Sequence, residues 1–274
     1  MQVKINHTCV GFGITLTDAL DTLALMGLHV ELQQARAHVA SINWNKNYDV
    51  SFFETTIRHL GGLLGAYELT KDALYLRKAV ELGDRLYASF QSPTGIPYSI
   101  VNLQTGKVRN PKWTGEHSIL SEVGTVQLEF KALSHYSGDT KYSDASHRVM
   151  KALADMPRKH GGLFPVYIDN QRGSFESGLA TYGGLSDSFY EYLLKQHIQS
   201  GWKDPLTLSL YSKATHDLRK FLVHTTHAPI FNSTQSHVHF YVGALEGEMA
   251  KHSMEHLVCF VPGMLALGHH HGVG

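Results

Sequence analysis

The sequence predicts an all-α fold of paired helices, with short β-hairpins in the loops at one end. Three observations predict it. Apolar residues recur at helical spacing along most of the 274 residues. The connections between these stretches are partly short and partly long and Gly/Pro-rich, and the long ones carry β-type residues. No low-complexity linker divides the chain and no fixed period marks a solenoid, so residues 1–274 are read as one domain. Paired helices with long structured loops at one end are what an α/α toroid requires.

The elements follow in order. Leu16, Leu20 and Leu23 open a first helix that reaches Gly27, and Leu32, Ala35 and Val39 continue a second. Further helical periodicity covers 52–69, 73–90, 116–137, 141–155, 184–200, 206–223 and 246–268. Between them lie SPTGIPYS at 92–99, KHGGLFPVYIDNQRG at 159–173 and the stretch around HAPIFNSTQSHVHF at 227–240. Ile96, Tyr98 and Ile100, then Leu163, Val166 and Ile168, are the residues that predict short hairpins there.

Composition narrows the function classes. Hydrophobic residues make up 43% and charged residues 18%, enough apolar material for a large core and too much for disorder. Lys+Arg and Asp+Glu balance at 24 each, so no electrostatic partner such as nucleic acid is implied. No run of 18 apolar residues reads as a membrane span, and MQVKINHTCV shows no signal-peptide core. Two cysteines, Cys9 and Cys259, do not make a disulfide framework; they could pair, stay free or await a partner outside this chain. Asn6-His7-Thr8 and Asn232-Ser233-Thr234 fit the N-glycosylation pattern, which is too short to decide a compartment. The His run at 269–271 lacks flanking Cys or carboxylates and makes a weak metal site.

Chemistry concentrates in carboxylates near helix starts: Asp18 and Asp21 in GITLTDALDTL, Glu54 in VSFFETTIR, Glu122 in SILSEVGTVQLEF and Asp187 in GGLSDSFYEYLL. Capping explains each one singly, because the helix N-terminus carries partial positive charge. Ser51-x-x-Glu54 even fits a capping box. The face of the helix argues for more. Glu54, Arg58, Gly61 and Gly65 share one stripe, beside an apolar stripe of Val50, Phe53, Ile57, Leu60 and Leu64. An interior helix glycine costs roughly 1 kcal/mol relative to alanine, so two beside a charged pair point to close packing or to a cleft. Phe189, Tyr190 and Tyr192 near Asp187, with Trp113 and Tyr98 in the loops, are of the type that stacks on sugars, although core packing explains Tyr190 and Tyr192 equally well.

The motifs together resemble the class I α-1,2-mannosidases, glycoside hydrolase family 47. The matching stretches are GITLTDALDTLALMGL (13–28), VSFFETTIRHLGGLLGAYELT (50–70), LRKAVELGDRL (76–86), IPYSIVNLQTG (96–106), SEVGTVQLEFKALSHYSGD (121–139), GGLSDSFYEYLLKQ (183–196) and MEHLVCFVPGMLALG (254–268). The resemblance implies an (α/α)7 barrel and calcium dependence. It also implies inverting removal of terminal α-1,2-linked mannose from high-mannose N-glycans in the secretory pathway or outside the cell. Glu54 matches the general acid of the F-E-[ST]-T-I-R motif and Asp187 the catalytic aspartate before F-Y-E-Y, while Arg58, Glu122 and His256 match residues lining the sugar pocket. Leu185 stands where some endoplasmic-reticulum members carry arginine, which looks more like the Golgi or fungal branch. Arg58 bears on the acid role, since a neighbouring cation favours an ionised carboxyl over a protonated one.

The resemblance also implies parts that this sequence does not hold. The glutamate of the family's R-P-E-[ST] motif, the expected base, has no counterpart here. Nor does the calcium-binding threonine near F-N-T-E-A-H-P, or the cysteine that usually pairs at the position of Cys259. Residues 1–274 are therefore expected to be a C-terminally truncated catalytic domain, any membrane association depending on segments outside them. A mannose-binding, lectin-like relative is the alternative that the absent base keeps open. An unclosed toroid exposes faces meant for burial, so the 274-residue chain alone is expected to be poorly stable and catalytically silent. Calcium-dependent trimming of a Man9 glycan by the purified chain would refute this.

Overall fold

In the computed structural model, residues 11–229 and 236–273 are described. Cys9 and the Asn6 and Asn232 sequons lie outside them, and Cys259 carries an exposed free thiol. Successive helices alternate between an inner and an outer arc. The inner helices are α1 (Ile14–Asp18, continuing as Leu20–Leu25), α3 (residues 52–70), α5 (Leu120–Val123, then Gln127–Ser137), α7 (Asp187–Gln199) and α9 (Val261–His270). The outer ones are α2 (His29–Ser41), α4 (Ala73–Leu86), α6 (Lys141–Asp155) and α8 (Pro205–Asp217). Each inner helix packs on its outer follower, and the inner arc runs by contact from α1 through α3, α5 and α7 to α9. Four inner–outer pairs and a fifth inner helix are thus present among the described residues. No helix among the described residues is long and apolar enough to cross a membrane.

Helix starts follow local chemistry. Asp72 accepts the Leu74 N–H at the start of α4 and is clamped by Arg36 of α2. Asp204 accepts the Leu206 and Thr207 N–H groups at the start of α8, with Pro205 at the first helical position. The Ser51 hydroxyl accepts the Glu54 N–H at 3.2 Å at the start of α3, which forms the expected cap. Its reciprocal half does not form, because the Glu54 carboxylate is taken by Arg58.

Helix α3 departs from the expected stripe. Residues Thr55–Leu60 form a π-turn inside it, and the extra residue rotates everything that follows. Thr56, His59 and Leu63 are buried, while Phe53 and Ile57 are only half-buried. The glycines serve close packing as expected, but Gly62 is the tightest: a Cβ there would collide with the Thr17 carbonyl of α1. Gly65 faces Asp21, and Gly61 faces Glu129 of α5.

The expected hairpins lie at one end, ahead of the inner helices. Strands β1 (Asp49–Ser51), β2 (Ile100–Asn102) and β3 (Val108–Arg109) form an antiparallel sheet at the entry to α3. Strands β4 (Ser118–Ile119), β5 (Tyr167–Asp169) and β6 (Ser174–Phe175) form another at the entry to α5. The strand β7 (Leu179–Ala180), before α7, pairs with β10 (Ala244–Glu246), and β10 with β11 (Met249–Lys251). A longer hairpin joins β8 (Val223–Pro229) to β9 (Ser236–Val242).

Two helices expected from periodicity are corrected. The stretch 246–268 is strand, then a short 3₁₀ turn at His256–Phe260, and only from Val261 an α-helix. Residues 116–137 begin as strand β4 and break again after Val123, since a Cβ at Gly124 would collide with Phe189. The Gln127 side chain repairs that break, accepting the Val126 N–H and donating to the Val123 carbonyl.

His59 is buried where α3 meets α1, its Nδ1 2.6 Å from the Thr17 hydroxyl and its ring edge-on to Trp44. Burial, and secondarily His38, lowers its pKa from 6.5 to about 4. An unfolded chain therefore takes up a proton between those values that the folded chain refuses. Stability from His59 is complete above pH ~6.5 and falls by up to about 3 kcal/mol as pH drops to ~4. Imidazole titration by NMR is expected to place the His59 midpoint near 4; a midpoint near 6.5 would contradict the burial.

Candidate active site

Because the inner helices share a direction, their N-termini meet at the hairpin end, and the carboxylates expected from sequence arrive there together. Glu54 and Arg58 pair across one turn of α3, Arg58 Nε donating to Glu54 Oε2 at 2.6 Å. Arg58 also reaches across to α1, its Nη1 3.2 Å from Asp18 Oδ2. These side chains are about 40% exposed, so the bridge faces open space. The Glu54 bond, then Asp18, raise the Arg58 pKa further. The pair is therefore an ion bridge between inner helices, accessible from the rim.

Glu122 stands at the first turn of α5. Together with Glu54, Ser51, Ser99, Arg109 and Trp113 it lines a cleft of about 460 Å³. Its Oε2 is shut off from solvent without a partner. Burial raises the Glu122 pKa, the nearby Ser99 hydroxyl opposes that shift and the Glu54 charge adds to it. A larger groove of about 910 Å³ between α8 and α9 is lined by His216, Arg219 and Lys220 and holds no carboxylate.

Asp187 opens α7. It is half-buried, and its pKa is raised by burial first and also by the charges of Glu191 and Glu255. It does not line the Glu54–Glu122 cleft. Two bonds connect the two places: the Ser121 N–H donates to the Leu185 carbonyl at 2.9 Å, and the Thr125 hydroxyl donates to the Ser188 hydroxyl at 3.0 Å. His256 lies exposed in the 3₁₀ turn before α9. Its neighbour Glu255 reaches the turn before Asp187, Oε2 accepting the Gly184 N–H at 2.7 Å.

The aromatics divide. Phe189 and Tyr190 are core, Tyr190 stacked on Tyr182 with ring centres 3.7 Å apart. Tyr192 donates to Glu129, and Tyr98 accepts from Gln171. Trp113 alone of the five is largely exposed, at 67%. Ser99, Glu129 and Glu255 were not singled out from sequence, whereas Asp18 was named among the carboxylates at helix starts without a site role. Glu129 had a signal, lying seven residues and about two helical turns beyond Glu122; Ser99 had none. No three His, Cys, Asp or Glu side chains converge to hold a metal among the described residues, the histidines at 269–271 included.

Comparison with known proteins fits this rim of carboxylates. The glycosyl hydrolase family 47 model matches residues 1–274. The chain belongs to that family. An endoplasmic reticulum mannosyl-oligosaccharide 1,2-α-mannosidase of Rattus norvegicus is 43% identical over 265 residues, covering 96% of this chain and 39% of the relative. A mannosyl-oligosaccharide 1,2-α-mannosidase of Arabidopsis thaliana is 42% identical, covering 94% and 45%. The α-1,2-mannosidase structure from Trichoderma reesei superimposes with a TM-score of 0.83 at 26% identity, covering 94% of this chain and 55% of that one. The fold is thus the α/α barrel of family 47, and this chain spans less than half the length of these two curated relatives.

Glu129 of this family 47 chain is the most perturbed carboxyl at the inner arc. It is enclosed by α3, α5 and α7, with Tyr192 donating to Oε1 at 2.8 Å and Oε2 left unpartnered. Burial raises its pKa from 4.5 to about 7 against the Tyr192 bond. The folded state thus holds a proton that the unfolded chain releases, and stability falls as pH rises from ~4.5 through ~7. Glu129→Gln keeps an acceptor for Tyr192 and removes the titration. Relative to the unmodified chain it is expected to gain up to about 3 kcal/mol at pH 8 over pH 4.5. His59 acts in the opposite sense over an overlapping window, so the comparison is between variant and parent in parallel denaturation series. An unchanged difference across that range would show Glu129 to be solvated.

Proposed function

We propose that this rim is the sugar-cleaving site of an inverting α-1,2-mannosidase acting on terminal α-1,2-linked mannose of high-mannose N-glycans. The observation that carries the reading is the gathering of Glu54, Arg58, Glu122 and Asp187 at the inner-helix N-termini of a family 47 chain. Inverting hydrolysis needs one carboxyl to protonate the leaving oxygen and another to activate water from the opposite face. Glu54, reachable from the rim, is assigned the proton delivery, directly or through an intervening water. Arg58 holds it in place and leaves a cation facing the sugar hydroxyls. Glu122 offers an acceptor at the floor of the cleft, and Asp187 is the catalytic carboxylate of α7. His256 is assigned to the sugar pocket from the same end. The secretory pathway follows from relatives named as endoplasmic reticulum enzymes. Calcium dependence follows from family membership, and none of these steps passes through the ion. The relatives matched are named as mannosidases, which leaves the lectin-like alternative without an observation in its favour.

The test measures mannose release from a Man9 glycan by a polypeptide that joins this chain to an R-P-E-[ST] segment. Glu54→Gln and Asp187→Asn are each expected to lower kcat by about 10²–10⁴-fold. Mannose is expected to emerge first as the β-anomer in NMR. An α-anomer product, or full activity in both variants, would remove the assignment.

A further inference from the structure

The five residues ahead of Asp187 form an anchored and strained turn. Leu185 has φ +74°, a left-handed conformation that brings the Cβ of a side-chain-bearing residue too close to its own backbone. Bonds from within the turn and from outside it hold this conformation. The Gly183 N–H donates to the Thr181 hydroxyl at 2.8 Å, and the Gly183 carbonyl accepts from Ser186 and Asp187 at 3.2 and 2.9 Å. The Leu185 carbonyl accepts the Ser121 N–H from α5. The Gly184 N–H is bound by the Glu255 carboxylate, 71 residues further along the chain. The contact is close on both sides: a Cβ at Gly183 would collide with that same carboxylate.

Resting on the reading of Asp187 as the catalytic carboxylate, we propose that Glu255 is a positioning residue, which grips the Gly183–Ser186 turn through the Gly184 N–H and so fixes where Asp187 points. Two features fit the assignment. Glu255 sits on the segment between β11 and α9, and β10 of that sheet already pairs with β7 just before the turn, so the α9 entry and the α7 entry are joined twice. Its negative charge also acts on Asp187 beside that of Glu191, favouring the protonated form. Glu255 itself is exposed, so its removal leaves the core intact and isolates the effect on the turn.

The experiment uses the 274-residue chain and reads the turn directly. Amide exchange of Gly184 and the carboxyl titration of Asp187 are followed by NMR in the parent, Glu255→Ala and Glu255→Gln. Glu255→Ala is expected to speed Gly184 exchange at least tenfold and to lower the Asp187 midpoint. Glu255→Gln retains an acceptor oxygen, so Gly184 protection is expected to return while the Asp187 midpoint stays low. Unchanged Gly184 exchange in Glu255→Ala overturns the proposal, and so does failure of Gln to restore protection. Neither readout depends on hydrolysis. The turn behaviour as expected, with full activity of Asp187→Asn in the polypeptide joined to an R-P-E-[ST] segment, would instead overturn the functional reading.

Discussion

The rim depends on how closely α3 can lie against α1. Gly62 places its backbone on the Thr17 carbonyl, where any side chain would force the helices apart. At that separation the Thr17 hydroxyl reaches His59 and Arg58 reaches Asp18. The charged bridge at the surface and the buried imidazole below it are consequences of one approach. The π-turn acts with it: one extra residue between Glu54 and Gly61 turns His59 into the interface while Arg58 stays on the open side.

The carboxyls at this end occupy two kinds of environment, and chemistry follows the difference. Glu54 is partly exposed and ion-paired. Glu122, Asp187 and Glu129 are enclosed, and burial pushes all three towards the protonated form. Nearby negative charges add to the effect at Glu122 and Asp187, so the ionisation of one depends on its neighbours. Glu54 differs from them in being held by a neighbouring cation on the open side of the rim.

The sequence revealed what depends on local order. Seven of the helical stretches, the Ser51 cap and the cluster of carboxylates at helix starts were legible because each is written within a few residues. The corrected parts depend on distant partners. The strands of residues 244–251 carry too few residues for a period of two, and they are set by β7, more than 60 residues earlier. Gly124 breaks α5 because of Phe189, which no nearby residue announces. The aromatics around Asp187 looked suited to a sugar, but Phe189 and Tyr190 face inward because α7 packs on both α5 and α8. The family motifs located Glu54, Glu122, Asp187 and His256, but not the bonds that connect them.

Those bonds show how the site is assembled. Arg58 to Asp18 joins α3 to α1; Ser121 to Leu185 and Thr125 to Ser188 join α5 to α7; Glu255 to Gly184 joins α7 to the entry of α9. Each spans neighbouring inner helices at the same end, and none lies within a single helix. Glu54 is held by Arg58 of its own helix, which is in turn tied to α1, while the turn before Asp187 is tied to α5 and to the entry of α9. One of these bonds joins backbone to backbone, Ser121 to Leu185; the others are made by the side chains of Arg58, Thr125 and Glu255. The geometry of the rim accordingly depends on contacts between neighbouring inner helices as well as on the start of each helix.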